Sequence, residues 1–442
     1  MQFPTSYEVL KNYIIQELDS YWPVGRQVIR KLPVKKGNWD QENFPLPPEM
    51  RLIELPKWAS YSRIKGEILV PLHLINPGNE SEWERVDWFG VAFWYLNGIA
   101  ERAYEHRNGP IHSYSFKLKG WDSRLWNHAW VNHIARFLRC WSSHINNKKE
   151  LALFGALPES NLKLTHDVDA VEKTIAIRFK QTTFNLINGV RDLLFRNPTL
   201  AKNRFSAAKR FLFNKTNYWH FDHILSLEQT YKIKSCFLFY AGKNRGYLST
   251  LMNPSYNIEE PRLRKKFQSL DLKTILIGLH PSFETWQKSG PIERQKDRLE
   301  RLIKRPVKLC RQHWLKFAWS STWRAQQAAG FELDMTLGFN DRIGFRNSAA
   351  LDFHPWDFTS GKPMGIRSLP MVLMDSHLFD YDSLNEDEQT QKIEKLLDEL
   401  KITRGTGSAI WHQQVFNEDY GWETGYSNLL EMMKQKGIHS GF

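Results

Sequence analysis

Cysteine is scarce in this chain of 442 residues, which has only Cys140, Cys236 and Cys310. Three thiols so far apart cannot build a disulfide framework or a thiolate metal site, and a reducing, cytoplasmic setting is the expectation. Long apolar runs are also missing. None approaches the roughly 18 residues that a membrane-spanning helix needs. The first residues, Met1 to Glu8, lack a basic stretch followed by an apolar one, so nothing there marks the chain for secretion. No zinc-finger, helix-turn-helix or RNA-binding signature accompanies the net charge of +13, and nucleic acid is not an expected partner. What is present is ordinary globular material: 41% hydrophobic and 25% charged residues, with length for two or three domains.

Acidic residues nearly vanish from one stretch. Between Lys173 and Lys215 there are ten Lys or Arg against a single acid, Asp192, so most of the net charge is local. Bulky apolar residues such as Ile175, Phe179, Leu186, Ile187, Leu194 and Phe211 are interleaved with the cations. That pattern fits an amphipathic insertion lying on an anionic membrane surface, at the cytoplasmic face, or a helical excursion packed on its own domain.

Residues 1–160 read as a separate, smaller α+β domain. Helices are expected over Tyr7–Leu18, Trp88–Tyr104 and Leu125–Ile145, and a strand over Glu67–Leu74. Its tryptophans, among them Trp58, Trp83, Trp88 and Trp141, could stack sugars but fit a core better. This region contains no catalytic constellation, and Pro158-Glu159-Ser160 looks like a linker.

From 161 to 442 the chain alternates strand-like and helix-like segments, and the strands end in charge. Leu162 and Leu164 lead into Thr165-His166-Asp167-Val168-Asp169. The run Thr274–Phe283 delivers His280 into a Pro turn, Pro306–His313 ends in Arg311 and His313, and Gly407–His412 ends in His412. In α/β folds the C-terminal ends of strands are where catalytic groups collect. Asp169 and His280 with one further ligand suit Zn²⁺ or a similar divalent ion with a position left for water and substrate. Asp167 would then take a proton, and His412, from the opposite side, would protonate a leaving group.

These motifs in this order resemble those of the NodB-type polysaccharide deacetylases, carbohydrate esterases with a distorted (β/α) barrel. Thr165–Asp169 is similar to the first motif, Gly278-Leu279-His280-Pro281-Ser282 to the second, Arg311-Gln312-His313 to the third and Ile410-Trp411-His412 to the last. With Ala329-Gly330-Phe331, Thr336-Leu337-Gly338-Phe339 and Gly344-Phe345-Arg346, the chain resembles a bacterial branch that carries an extra N-terminal domain. The resemblance implies an enzyme that removes acetyl groups from N-acetylated sugars of a surface or lipid-linked polysaccharide. It makes Asp167 the general base, Asp169 and His280 metal ligands, Arg311 the residue that orients the base, and His412 the general acid. Two positions depart from the pattern. Glu284 stands where a second metal histidine is usual, and His313 where a proline is usual; either could be the third ligand, with His313 preferred. If neither were, the barrel would be a degenerate relative that binds glycan without hydrolysing it, or a peripheral membrane protein of polysaccharide assembly.

Overall fold

Short, wholly apolar strands bracketed by helical segments are what a parallel sheet buried on both faces requires. The computed structural model describes residues 3–39, 44–62, 66–195, 198–244, 246–270, 275–381 and 384–442. In chain order its strands are β1 (Met50–Glu54), β2 (Glu67–Pro71), β3 (Asn161–Val168), β4 (Cys236–Phe239), β5 (Leu276–Leu279) and β6 (Leu309–Cys310). They continue with β7 (Leu333–Asp334), β8 (Trp356–Asp357), β9 (Lys362–Pro363), β10 (Arg367–Ser368), β11 (Met371–Met374) and β12 (Thr406–Ile410).

Eight of these form one sheet in the order β10-β7-β6-β5-β4-β3-β12-β11, and every pairing in it is parallel. Among the described residues the outermost strands, β10 and β11, do not pair with each other, so the fold is an α/β open, distorted barrel. The chain itself crosses that seam. Leu369 N donates to Asp334 O (2.8 Å), Met371 N to Leu337 O (2.7 Å) and Ser408 N to Pro370 O (2.9 Å). The strand run from 274 shortens to Leu276–Leu279, Thr274 itself lying outside the described residues. The run 306–313 reduces to two strand residues, because the backbone turns at Arg311 and His313 begins a short 3-10 turn, His313–Leu315.

The helices Tyr7–Glu17, Trp88–Leu96, Ile99–Asn108 and Trp130–Asn146, with the β1/β2 hairpin, make up the region before the barrel. The expected helix 88–104 breaks at Gly98, whose φ is +59°, and a Cβ there would lie 2.4 Å from the Trp319 ring. Glycine is the residue that tolerates both demands. The tryptophans are mostly core: Trp58, Trp83, Phe137 and Trp141 meet edge-on or stacked at ring separations of 5.2–6.1 Å. A single buried cluster runs from Leu10 through the sheet to Ile438.

Polar contacts join the two regions as well. Tyr21 Oη donates to Thr403 O (2.6 Å), Asn132 Nδ2 to Ala350 O (2.9 Å) and Ala350 N to Asn132 Oδ1 (2.8 Å). Buried Arg346 ion-pairs with buried Glu101. The carboxylate of Glu399, on the helix Glu386–Thr403, meets His128 Nδ1 and His133 Nε2 at 2.8 Å each and accepts from Ala129 N (2.9 Å). Glu399 thereby satisfies the amide just before the helix Trp130–Asn146, which accounts for the interruption of the expected 125–145 helix at 128–129.

The basic segment folds as two packed helices, Ile175–Leu194 and Pro198–Phe213, beginning just after β3 ends.

Candidate metal and acid–base site

Strand β3 sets the site through its period of two. Side chains on a strand alternate between faces, so Asp167 and Asp169 project together at the strand's C-terminal end while His166 points away. Buried His166 instead bonds Trp411 O (2.7 Å) and Glu228 Oε1 (2.9 Å), and Glu228 also accepts from Ser235 Oγ and Tyr426 Oη. Its place in the motif is therefore structural.

Arg311, wholly buried, follows β6. Its Nη1 donates to Asp167 Oδ1 and to Thr165 Oγ1, each at 2.7 Å, and its Nε to Met335 O (2.9 Å). Burial by itself would raise the Asp167 carboxyl. The charges of Arg311, His280 and His412 and the hydrogen bond from Arg311 outweigh it, holding the group below the usual carboxylate range. Asp167 thus stays ionised and ready to accept a proton.

Asp169 and the two histidines converge. Asp169 Oδ1 lies 3.5 Å from His280 Nε2 and 3.6 Å from His313 Nε2, and the two rings are 4.8 Å apart. The outer nitrogens are occupied: His280 Nδ1 meets Arg311 O (2.7 Å) and His313 Nδ1 faces Asn253 Oδ1 (3.4 Å). This leaves both Nε2 atoms turned toward the carboxylate. Burial pushes the His313 imidazole well below its ordinary value, helped by the charges of His280, His412 and Lys180, so it is a neutral donor.

Asp169 Oδ1 is buried and accepts no hydrogen bond. An orphaned carboxylate oxygen facing two imidazole nitrogens is costly unless a cation sits between them. Two histidines and one carboxylate, with outer nitrogens tethered, match the donor set of a catalytic zinc site.

His412 closes the other side. Its Nε2 is 3.6 Å from Asp169 Oδ2, while its Nδ1 donates to Asp375 at 2.9 Å (Oδ1) and 3.0 Å (Oδ2), and its backbone N donates to Asp375 Oδ2 (2.6 Å). Burial would lower its pKa. The adjacent Asp375 carboxylate, with Asp169 and Asp167 behind it, instead lifts it to about 10. His412 is an imidazolium at neutral pH.

All six residues singled out in the sequence, Asp167, Asp169, His280, Arg311, His313 and His412, therefore meet at one end of the sheet. Glu284 does not join them: it is exposed, and its carboxylate accepts from Asn253 Nδ2 (2.9 Å) and Ser249 Oγ (3.4 Å). Two functional side chains escaped the sequence reading. Asp375 was detectable, because Met371-Val372-Leu373-Met374 is an apolar run ending in a carboxylate like the others. Asn253, which holds His313 from a loop, carried no sequence signal.

No family model and no curated protein matches the chain. Among solved structures it is similar to the polysaccharide deacetylase Bc1974 from Bacillus cereus, at 10% identity over 64% of this chain and 92% of that one, with a TM-score of 0.33. It is also similar to a family 4 carbohydrate esterase from Streptomyces lividans in complex with acetate, at 9% identity over 64% and 92% of the two chains, with a TM-score of 0.30.

Proposed function

We propose that the chain is a metal-dependent hydrolase that removes acetyl groups from N-acetylated sugars of a surface or lipid-linked polysaccharide. The observation that carries this reading is the convergence of Asp169, His280 and His313 around a buried Asp169 Oδ1 that accepts no hydrogen bond, between an ionised carboxylate and an imidazolium. Asp169, His280 and His313 would hold the cation. A divalent ion there supplies Lewis acidity toward an acetyl carbonyl and lowers the pKa of water.

The chain's own groups divide the proton work. Asp167, kept ionised by Arg311, takes the proton of the attacking water at Oδ2, the oxygen that Arg311 leaves free. Arg311 fixes the carboxylate's orientation and, with its Nε on Met335 O, cannot swing away. His412 gives its Nε2 proton to the departing sugar nitrogen, while Asp375 on Nδ1 fixes the ring and stabilises its charged form. A base and an acid on opposite sides of an electrophile suit amide cleavage, and the order of the four sequence motifs supplies the N-acetyl sugar as the substrate class.

The test is acetate release from an N-acetylated chitooligosaccharide by the purified full chain with added Zn²⁺. A chelator should abolish release. Asp167→Asn should lower the rate by roughly 10²–10⁴-fold while retaining bound metal, whereas Asp169→Asn should lose both. Equal rates for wild type and Asp167→Asn would remove Asp167 as the base. No release by either would remove the deacetylase reading.

A further inference from the structure

The helix Ile175–Leu194 is inside out. Its face toward the rest of the protein buries Thr182, Asn185, Gly189 and Asp192, positions three or four apart and so on one stripe. The rest of the helix surface carries Phe179, Leu186, Ile187, Val190 and Leu194, all exposed, and Ile175 is exposed at the helix's first residue. Leu194 and the following Phe195 are each 78% exposed. Ten of the large apolar side chains exposed among the described residues lie between 175 and 213. A helix that packs for stability in water does the reverse.

The polar face is bound firmly enough to fix this orientation. Gly189 lets the second helix approach: a Cβ there would be 2.8 Å from the Phe205 ring. Arg178 donates to Leu212 O, Thr182 Oγ1 to Ala208 O (3.4 Å), and Arg204 lies 3.9 Å from Asp192. Turning the helix over to hide its apolar face would break each of these bonds.

The surface around the apolar stripe is cationic. Lys180 and Arg191 lie along one edge of it, and Lys202 and Lys209 are exposed on the neighbouring helix. The one acid of the segment, Asp192, is buried. Apolar side chains rimmed by cations with no exposed acid match the interface of an anionic bilayer, where the chains enter the acyl boundary and the cations meet lipid phosphates. So many exposed large apolar side chains gathered on one hairpin mark an interaction surface rather than an idle one.

The hairpin also borders the site. Lys180 Nζ stands 5.3 Å over the Trp314 ring, next to His313. Arg204 Nη2 donates to Asp380 O (3.0 Å) in the segment that follows Asp375, and buried Lys173 ion-pairs with Asp419 (2.6 Å) in the segment that follows His412. Docking through the exposed face therefore sets the mouth of the site beside the surface.

From this geometry we infer that the 175–213 hairpin seats the protein on an anionic lipid bilayer through the apolar face of Ile175–Leu194, so that the substrate is taken from a membrane-anchored acetylated glycan. The glycan part rests on the deacetylase reading; the docking does not. No helix among the described residues is long and apolar enough to cross a membrane, so the contact is peripheral.

The experiment is flotation of the full chain with phosphatidylcholine vesicles, with and without phosphatidylglycerol. Wild type should float with the anionic vesicles only, and less at high salt. Phe179→Ser, Leu186→Ser and Ile187→Ser combined replace exposed groups, so circular dichroism should be unchanged while partitioning falls about tenfold or more. Acetate release from a soluble chitooligosaccharide should be the same in both proteins, and release from a vesicle-anchored glycan should fall in the variant. Wild type left unfloated, or the triple variant floating as well as wild type, overturns the proposal. So does a wild-type dimer in sedimentation that the variant makes monomeric, because a second copy then covers the face. Flotation lost in the variant, with no acetate released by either protein, upholds the docking and brings down the deacetylase reading alone.

Discussion

The residue that most changes the chemistry of the site is Asp375, for it decides the charge of His412. With both carboxylate oxygens within 3.0 Å of Nδ1, the ring keeps its second proton until about pH 10. A raised imidazole pKa means the acid is ready below that value and lost as the pH rises through it, so the alkaline limb of the rate profile should lie near pH 10. Asp375→Asn should move that limb down toward the ordinary imidazole value of about 6.5. The acid limb, set by Asp167 below the usual carboxylate range, should stay in place. A pH profile of kcat/KM with an unmoved alkaline limb would separate Asp375 from His412's role. Asp167, Asp169 and His412 were legible beforehand because each ends an apolar run, and a strand's period of two then decides their direction. Asp375 follows the same rule, at the end of the apolar run Met371–Met374 that begins right after Pro370.

Among elements, the turn after β5 and the loop ending at Asn253 cooperate in a way no strand pattern announces. Asn253 Oδ1 accepts from Phe283 N (2.8 Å) and faces His313, while its amide is held by Glu284. Glu284, which stands where the resemblance expects a histidine, thus reaches His313 of the proposed metal site through Asn253. Supports of this kind typically govern metal affinity by 10–100-fold. Asn253→Ala should weaken Zn²⁺ binding by about that factor, Glu284→Gln by less, and His313→Ala should remove the ion, as read by metal titration of the stripped protein. Equal losses for Glu284→Gln and His313→Ala would make Glu284 a ligand. Such loop partners stay hidden in a sequence because the bonds span 30 and 60 positions and follow no period. Helix ends hid for a related reason: the breaks near Gly98 and Ala129 depend on Trp319 and Glu399, far along the chain.

At the scale of the molecule, the open sheet and the helices before it share their interior. Arg346 joins Glu101 across that boundary and also donates to Gly338 O (2.9 Å) and Ser113 Oγ (2.6 Å), all buried. Removing one partner of a buried ion pair costs about 3–5 kcal/mol, because the other charge is left without compensation. Glu101→Gln should lower the unfolding free energy by about that amount in denaturant titrations. Expressed alone, 161–442 should be insoluble, because the partners of Arg346, Ala350 and Glu399 lie before it; a soluble, monomeric fragment would show the boundary near 160 to be a true domain border. The alternation that foretold a barrel was visible as strand spacing. The shared core was not, since contacts such as Arg346 with Glu101 join positions 245 apart and follow no period.

The order of the sheet has a consequence for how the protein is made. Among the described residues, the first strand of the sheet in chain order, β3, pairs on one side with β4, but its other neighbour is β12, the last strand of that sheet. Until residue 410 emerges, the strand carrying Asp167 has one edge open, and His412 is not yet beside it. The nascent chain must therefore keep that edge from pairing with another chain for most of the time its C-terminal half is being translated, which makes this a protein whose yield in a cell should depend on chaperone supply rather than on native stability.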